Sequence, residues 1–101
     1  MKTTIDLQRL RTAAGEATAV LRTLGNEDRL LLLCEMSQAE LSVGELSERT
    51  GITQPTLSQQ LAVLRAQELV ATRREGKQIF YSVADRRTLD LLKTLHRLFC
   101  D

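Results

Sequence analysis

Two cysteines and one histidine stand out among the 101 residues: Cys34, His96 and Cys100 are the side chains best suited to redox or soft-metal chemistry. Cys34 closes the run Leu30-Leu31-Leu32-Leu33-Cys34, and Cys100 sits in the terminal stretch Arg97-Leu98-Phe99-Cys100-Asp101. A thiolate attacks disulfides, persulfides and other oxidants, and it is also a soft metal ligand. His96 and Cys100, four apart, share one helix face, and with Cys34 as a third ligand they could hold a metal with an open coordination position. A closed four-ligand zinc site cannot be assembled from them. Beside the leucines of its run, Cys34 also reads as a small core residue. The cysteines lack C-x-x-C spacing, which disfavours a secreted disulfide framework and a dithiol oxidoreductase. A reducing cytosol holds both as thiols, so any bridge between them is conditional.

The elements that position these groups follow from periodicity. Apolar residues Leu7, Leu10, Ala14, Ala17, Leu21 and Leu24 recur at three- and four-residue steps, predicting an amphipathic helix over Ile5 to Leu24 that Gly25 breaks. Asn26 is an N-cap for a second helix running to about Ser37, with Glu27 and Asp28 on the first turn where the macrodipole favours negative charge. Ser42-Val43-Gly44-Glu45 has the capping-box form and starts a short helix, Val43 to Thr50, which Gly51 ends. Thr53 is read as the cap of the next helix, with Pro55 in its first turn and Leu57, Leu61 and Leu64 as its buried stripe to about Gln67. Leu69 to Arg74 and Lys77 to Val83 are β-rich runs joined at Glu75-Gly76. Asp85 caps a last helix, Arg86 to about Cys100, whose apolar face includes Leu89, Leu91, Leu92, Leu95, Leu98 and Phe99.

At this length a single domain, residues 1–101, is expected, and its modest core leaves the faces of the first and last helices to be covered in a symmetric dimer. With 3% aromatic residues and no Trp, that core must be built largely from leucine. No stretch approaches a membrane span, and the first residues lack an apolar signal region, so a cytoplasmic protein with no membrane partner is expected. Net charge is +1, but its distribution is uneven: Glu27 to Arg49 is mostly acidic and Arg65 to Arg87 mostly basic. That asymmetry permits a polyanion-binding edge on a nearly neutral chain.

The two short helices joined at Gly51-Ile52 form a helix-turn-helix: the first braces the second so that its N-terminal end can enter a major groove. Thr53, Gln54, Thr56, Ser58 and Gln59 would lie at that end, and Gln can pair bidentately with adenine. Arg73, Arg74, Lys77 and Gln78 at the hairpin tip would lie beside it and contact phosphates or the minor groove. The expected fold is mainly α with a β-hairpin wing, a winged helix-turn-helix in the order α-α-α-α-β-β-α, acting on double-stranded DNA. A helical protein-interaction module is the competing class; it would tolerate acidic substitution at the wing tip, and an enzyme is not expected.

From Leu24 to Cys100 the chain resembles the ArsR/SmtB family of dimeric winged-helix repressors, through LGNEDRLLLLCEM, ELSVGELSERTGITQPTLSQQLAVLR and LVATRREGKQIFYSV. The resemblance implies a homodimer joined by first and last helices, binding a palindromic operator and released by an inducer. Gln60 stands where many members carry His, which bears on base preference rather than fold. The family's thiolate pattern ELCVCDL falls on Glu40 to Leu46, where Ser42 and Gly44 replace both thiols, and the last helix offers only His96 toward the other metal site. One cysteine on the second helix and one on the last resembles the BigR and HlyU branch, which responds to reactive sulfur species. That resemblance implies that Cys34 and Cys100 are a sensor pair and that a disulfide or polysulfide bridge between them weakens DNA binding; no cofactor is expected. A metal-responsive repressor using Cys34, His96 and Cys100 is the alternative.

Overall fold

Most helices begin where a short polar side chain can accept the N–H groups that a first turn leaves without partners. The computed structural model describes residues 6–100. In it Asp6 accepts from Gln8 N (3.2 Å), Asn26 from Arg29 N (3.0 Å), Ser42 from Glu45 N (3.2 Å) and Asp85 from Thr88 N (3.0 Å). These caps open α1 (Leu7–Leu24), α2 (Glu27–Met36), α3 (Val43–Thr50) and α5 (Arg86–Phe99). The expected helical start at Ile5 lies outside the described residues. At the other ends, Ser37 and Cys100 are C-caps rather than helical residues.

The remaining helix, α4 (Thr56–Ala66), differs from expectation. Thr53 is not its cap. The helix starts after Pro55, which has no side chain to cap with, and Gln54 supplies the acceptor instead: its Oε1 takes the N–H of Ser58 at 3.1 Å and the Ser58 hydroxyl. Gln reaches the first turn from two residues upstream because its side chain is one methylene longer than that of the usual capping residues. Thr53 contributes only its backbone carbonyl, which accepts from Leu57 N at 2.9 Å.

The three-stranded antiparallel sheet has the order β1-β3-β2, with β1 at Leu41–Ser42, β2 at Val70–Glu75 and β3 at Gln78–Val83. Arg73 faces Phe80 and Glu75 faces Gln78, so the hairpin loop is Gly76-Lys77 rather than Glu75-Gly76, with Gly76 at φ +63 as a tight turn requires. Strand β1 was not anticipated. Two residues cannot show alternation, yet Leu41 pairs with Tyr81 and Ser42 with Phe80, which fixes the start of α3 against the wing.

One leucine-rich core joins these elements: Leu32, Leu33 and Met36 of α2, Leu46 of α3, Leu57, Leu61 and Leu64 of α4, Tyr81 of β3 and Leu92 of α5 are all buried. Each buried leucine removes enough apolar surface from water to favour folding by about 2 kcal/mol. By contrast, α1 buries only its last two residues fully, and Leu7, Leu10 and Leu21 remain at least half exposed. Among the described residues no helix is long and apolar enough to cross a membrane.

Candidate DNA interface and thiol pair

The reading helix is held from behind and exposed in front. Leu57 and Leu61 anchor it to the core, while Thr53, Gln54, Ser58 and Gln59 are exposed and Thr56 is half-buried at its N-terminal end. Its brace α3 is fixed at both ends: the Ser42–Glu45 capping box closes the start, and Gly51 at φ +78 donates to Ser47 O at 2.8 Å at the finish. Thr50 then accepts from Ile52 N at 3.2 Å, turning the chain so that Ile52 is buried between the two helices. The Ser42 N–H bonds hold the Glu45 carboxyl below the usual carboxylate range. Of the expected base-reading side chains, Thr53, Gln54, Ser58 and Gln59 are thus open to solvent and Thr56 only partly so, with Gln54 and Ser58 bonded to one another.

The wing places its basic residues in two different settings. Arg73 is clamped: its guanidinium donates from Nε and Nη2 to the Glu40 carboxylate at 2.8 to 3.1 Å and lies 4.9 Å from the centroid of the Phe80 ring. This bidentate pairing holds Glu40 below, and raises Arg73 above, their ordinary values. Arg73 thus ties the wing to the segment before β1, with half its side chain still in water. Arg74, on the opposite face of β2, is exposed and makes no ion pair among the described residues. Lys77 and Gln78 border a groove whose other wall is Ser42, Val43 and Gly44, so the wing tip lies by the start of α3 rather than only beside the reading helix.

The thiols lie on α2 and at the end of α5. Cys34 is half-buried in α2 and lines, with Ser37, Gln38, Leu92, Lys93 and His96, a groove of about 210 Å³ between α2 and α5. Burial first, then the negative charges of Cys100 and Glu35, push its thiol above the usual value. Cys100 is exposed, and its N–H closes α5 on His96 O at 2.8 Å. Both cysteines are free thiols. His96 shares the groove with Cys34, yet among the described residues no three His, Cys, Asp or Glu side chains gather closely enough to hold a metal ion.

Sequence reasoning missed one further polar junction. Arg29 donates from Nε to Thr23 O at 2.7 Å, from Nη2 to Arg22 O at 3.4 Å and from Nη1 to Gln60 Oε1 at 3.0 Å, joining the end of α1, the start of α2 and the middle of α4. Gln60 was noticeable in the sequence only as a departure from the family pattern, and Arg29 not at all, because the partners lie far apart along the chain.

A braced helix with an exposed polar end, flanked by a basic hairpin, defines a winged helix-turn-helix DNA-binding regulator. Residues 26–72 match the family described as bacterial regulatory protein, arsR family. The chain is 47% identical over 96 residues, 95% of its own length and 82% of the relative's, to the biofilm growth-associated repressor of Agrobacterium fabrum. Reduced HlyU from Vibrio cholerae N16961 superposes with a TM-score of 0.89 at 40% identity, covering 93% of this chain and 99% of that one. A homodimeric winged helix-turn-helix DNA-binding domain from Mycobacterium bovis, described as a possible ArsR-family regulator, superposes at 0.76 with 28% identity over 97% of this chain and 89% of its own. The protein belongs to the ArsR family of bacterial regulators.

Proposed function

We propose that this protein is a homodimeric, cytoplasmic transcriptional repressor that holds a palindromic operator while Cys34 and Cys100 are thiols and releases it when reactive sulfur species bridge them. The observation that carries the reading is the placement of the two thiols, Cys34 half-buried on α2 in the groove between α2 and α5, and Cys100 exposed at the end of α5. The exposed leucines of α1 and the exposed Leu98 and Phe99 of α5 support a dimer through these helices, since a second copy would cover both faces. Gln54, Thr56, Ser58 and Gln59, with Thr53 at their edge, read bases in successive major grooves. Arg74, Lys77 and Gln78 reach the backbone, and Arg73 positions the wing that carries them.

Exposure sets the order of the thiol chemistry. Cys100 meets the reagent first: its thiolate attacks the outer sulfur of R–S–SH, forming Cys100–S–SH and releasing R–S⁻. The Cys34 thiolate then attacks the inner sulfur, giving the Cys34–Cys100 disulfide and expelling HS⁻, so two protein thiols are oxidised while one sulfane sulfur is reduced. Because Cys34 has a raised thiol value, the second step accelerates as pH rises toward that value. The bridge ties α5 to α2, which packs on both α3 and α4, and a coupling of about 1 to 3 kcal/mol is enough to change operator occupancy several-fold or more.

The test is intact-mass analysis of the reduced protein after separate exposure to a persulfide donor, hydrogen peroxide and Zn²⁺, with binding to a selected operator followed in parallel. A bridge between Cys34 and Cys100 that coincides with DNA release is the expected result. Full responsiveness of Cys100→Ser would reject the paired mechanism.

A further inference from the structure

Arg29 and Gln60 make a junction that neither base reading nor thiol chemistry uses. The Arg29 guanidinium is a planar fork of donors. Two arms take Thr23 O and Arg22 O at the C-terminal end of α1, where carbonyls lack helical partners and the helix dipole favours a cation. A third arm takes Gln60 Oε1 at 3.0 Å. Both side chains are half-buried, and Thr23 is 6% exposed, so these bonds are partly shielded from water. Gln60 follows the exposed Gln59 and precedes the buried Leu61, which turns its amide oxygen toward the body of the protein rather than the open edge of the reading helix.

We infer that Arg29 and Gln60 form a strap that sets the position of the reading helix relative to α1, and with it the half-site spacing that the dimer accepts. Gln60 is a positioning residue. In a two-fold dimer the reading helices must reach major grooves about one helical turn apart, near 34 Å, and their separation depends on how each is fixed to the dimerising helices. Arg29 is the side chain that bonds α4 directly to the end of α1. The inference rests on the dimer reading above.

The experiment uses a palindromic duplex selected in vitro from a random-sequence library by the reduced protein, together with versions in which the two half-sites are moved one base pair closer or farther apart. The mass of the free protein is measured first by light scattering, so that a monomer, which would overturn the dimer reading and the strap's role with it, is recognised before DNA is added. Gln60→Ala is expected to lose about tenfold in affinity for the selected duplex, as for a hydrogen bond to a charged group, and to discriminate less among spacings. Arg29→Lys, which replaces the fork by a single ammonium, should do the same, and the double variant should be no worse than either single one. Gln60→Glu restores an acceptor for Arg29 and should recover spacing discrimination even if its charge lowers affinity for every duplex equally. Unchanged spacing discrimination in Gln60→Ala overturns the strap. So does a changed base preference at one operator position with spacing intact, since that outcome makes Gln60 a base reader.

Discussion

The DNA-reading face and the thiol groove share one core but are held in opposite ways. The reading helix has three buried leucines behind it, a doubly capped brace beside it and a side-chain strap to α1. The thiols occupy a half-buried position and an exposed helix end, where helices fray most readily. A reader must be rigid because its contacts to base edges tolerate little displacement. On the proposed function, the thiols must be reachable by their reagent and able to move when bonded. Both features meet on α2, whose Leu32, Leu33 and Met36 are buried in the core while Cys34 packs against that core and lines the groove toward α5.

That contrast can be broken by substitution, and the effects should differ in size. Leu61→Ala removes a fully packed side chain from behind the reader and is expected to destabilise the fold by about 2 to 5 kcal/mol, seen as a lower denaturation midpoint together with lost operator binding. Arg74→Glu should leave the fold intact while lowering operator affinity by about tenfold and flattening its salt dependence by about one unit or more in the log–log slope. An unchanged gel shift for this variant would remove the wing from the interface. Arg73→Ala should weaken binding too, but through loss of the Glu40 clamp, so Glu40→Ala should share the defect without removing any positive charge.

Smaller effects belong to α5, which ends at Cys100. Asp85→Ala deletes the cap of α5 and should cost about 1 kcal/mol at neutral pH, read from thermal or chemical melts. The bonds from Thr88 hold the Asp85 carboxyl below its ordinary value, so this contribution is full above the unfolded carboxyl's value and is lost as pH falls through the lower folded one. The gap between wild type and Asp85→Ala should therefore close in acid. Smallest of all, Cys100→Ser should change the reduced protein's operator affinity by no more than about twofold, while abolishing release by a persulfide donor. A large loss of affinity in the reduced state would mean that the sensor end is part of the reader's support.

Much of this was legible in the sequence because local patterns carry it. The caps at Asn26, Ser42 and Asp85, the glycine that ends α3 and the leucine stripe of α4 involve residues a turn or less apart, and each forms as the spacing predicts. The start of α4 was misplaced at Thr53 because a residue of the right type stood in the right place, whereas the bond was made by the longer Gln54. The two-residue strand β1 had no pattern to read, since its existence depends on β3 arriving beside it.

The sequence by itself determined the helix-turn-helix, the wing and the presence of two separated thiols, because hydrophobic period, capping chemistry and turn residues act over a few positions. Only the tertiary structure decided which wing arginine is clamped and which is open, that Gln60 faces Arg29, and that Cys34 lines a groove with His96 between α2 and α5. Those outcomes are fixed by where packing of the leucine core brings distant segments together, and no local rule specifies the partner a charged or polar side chain will find there.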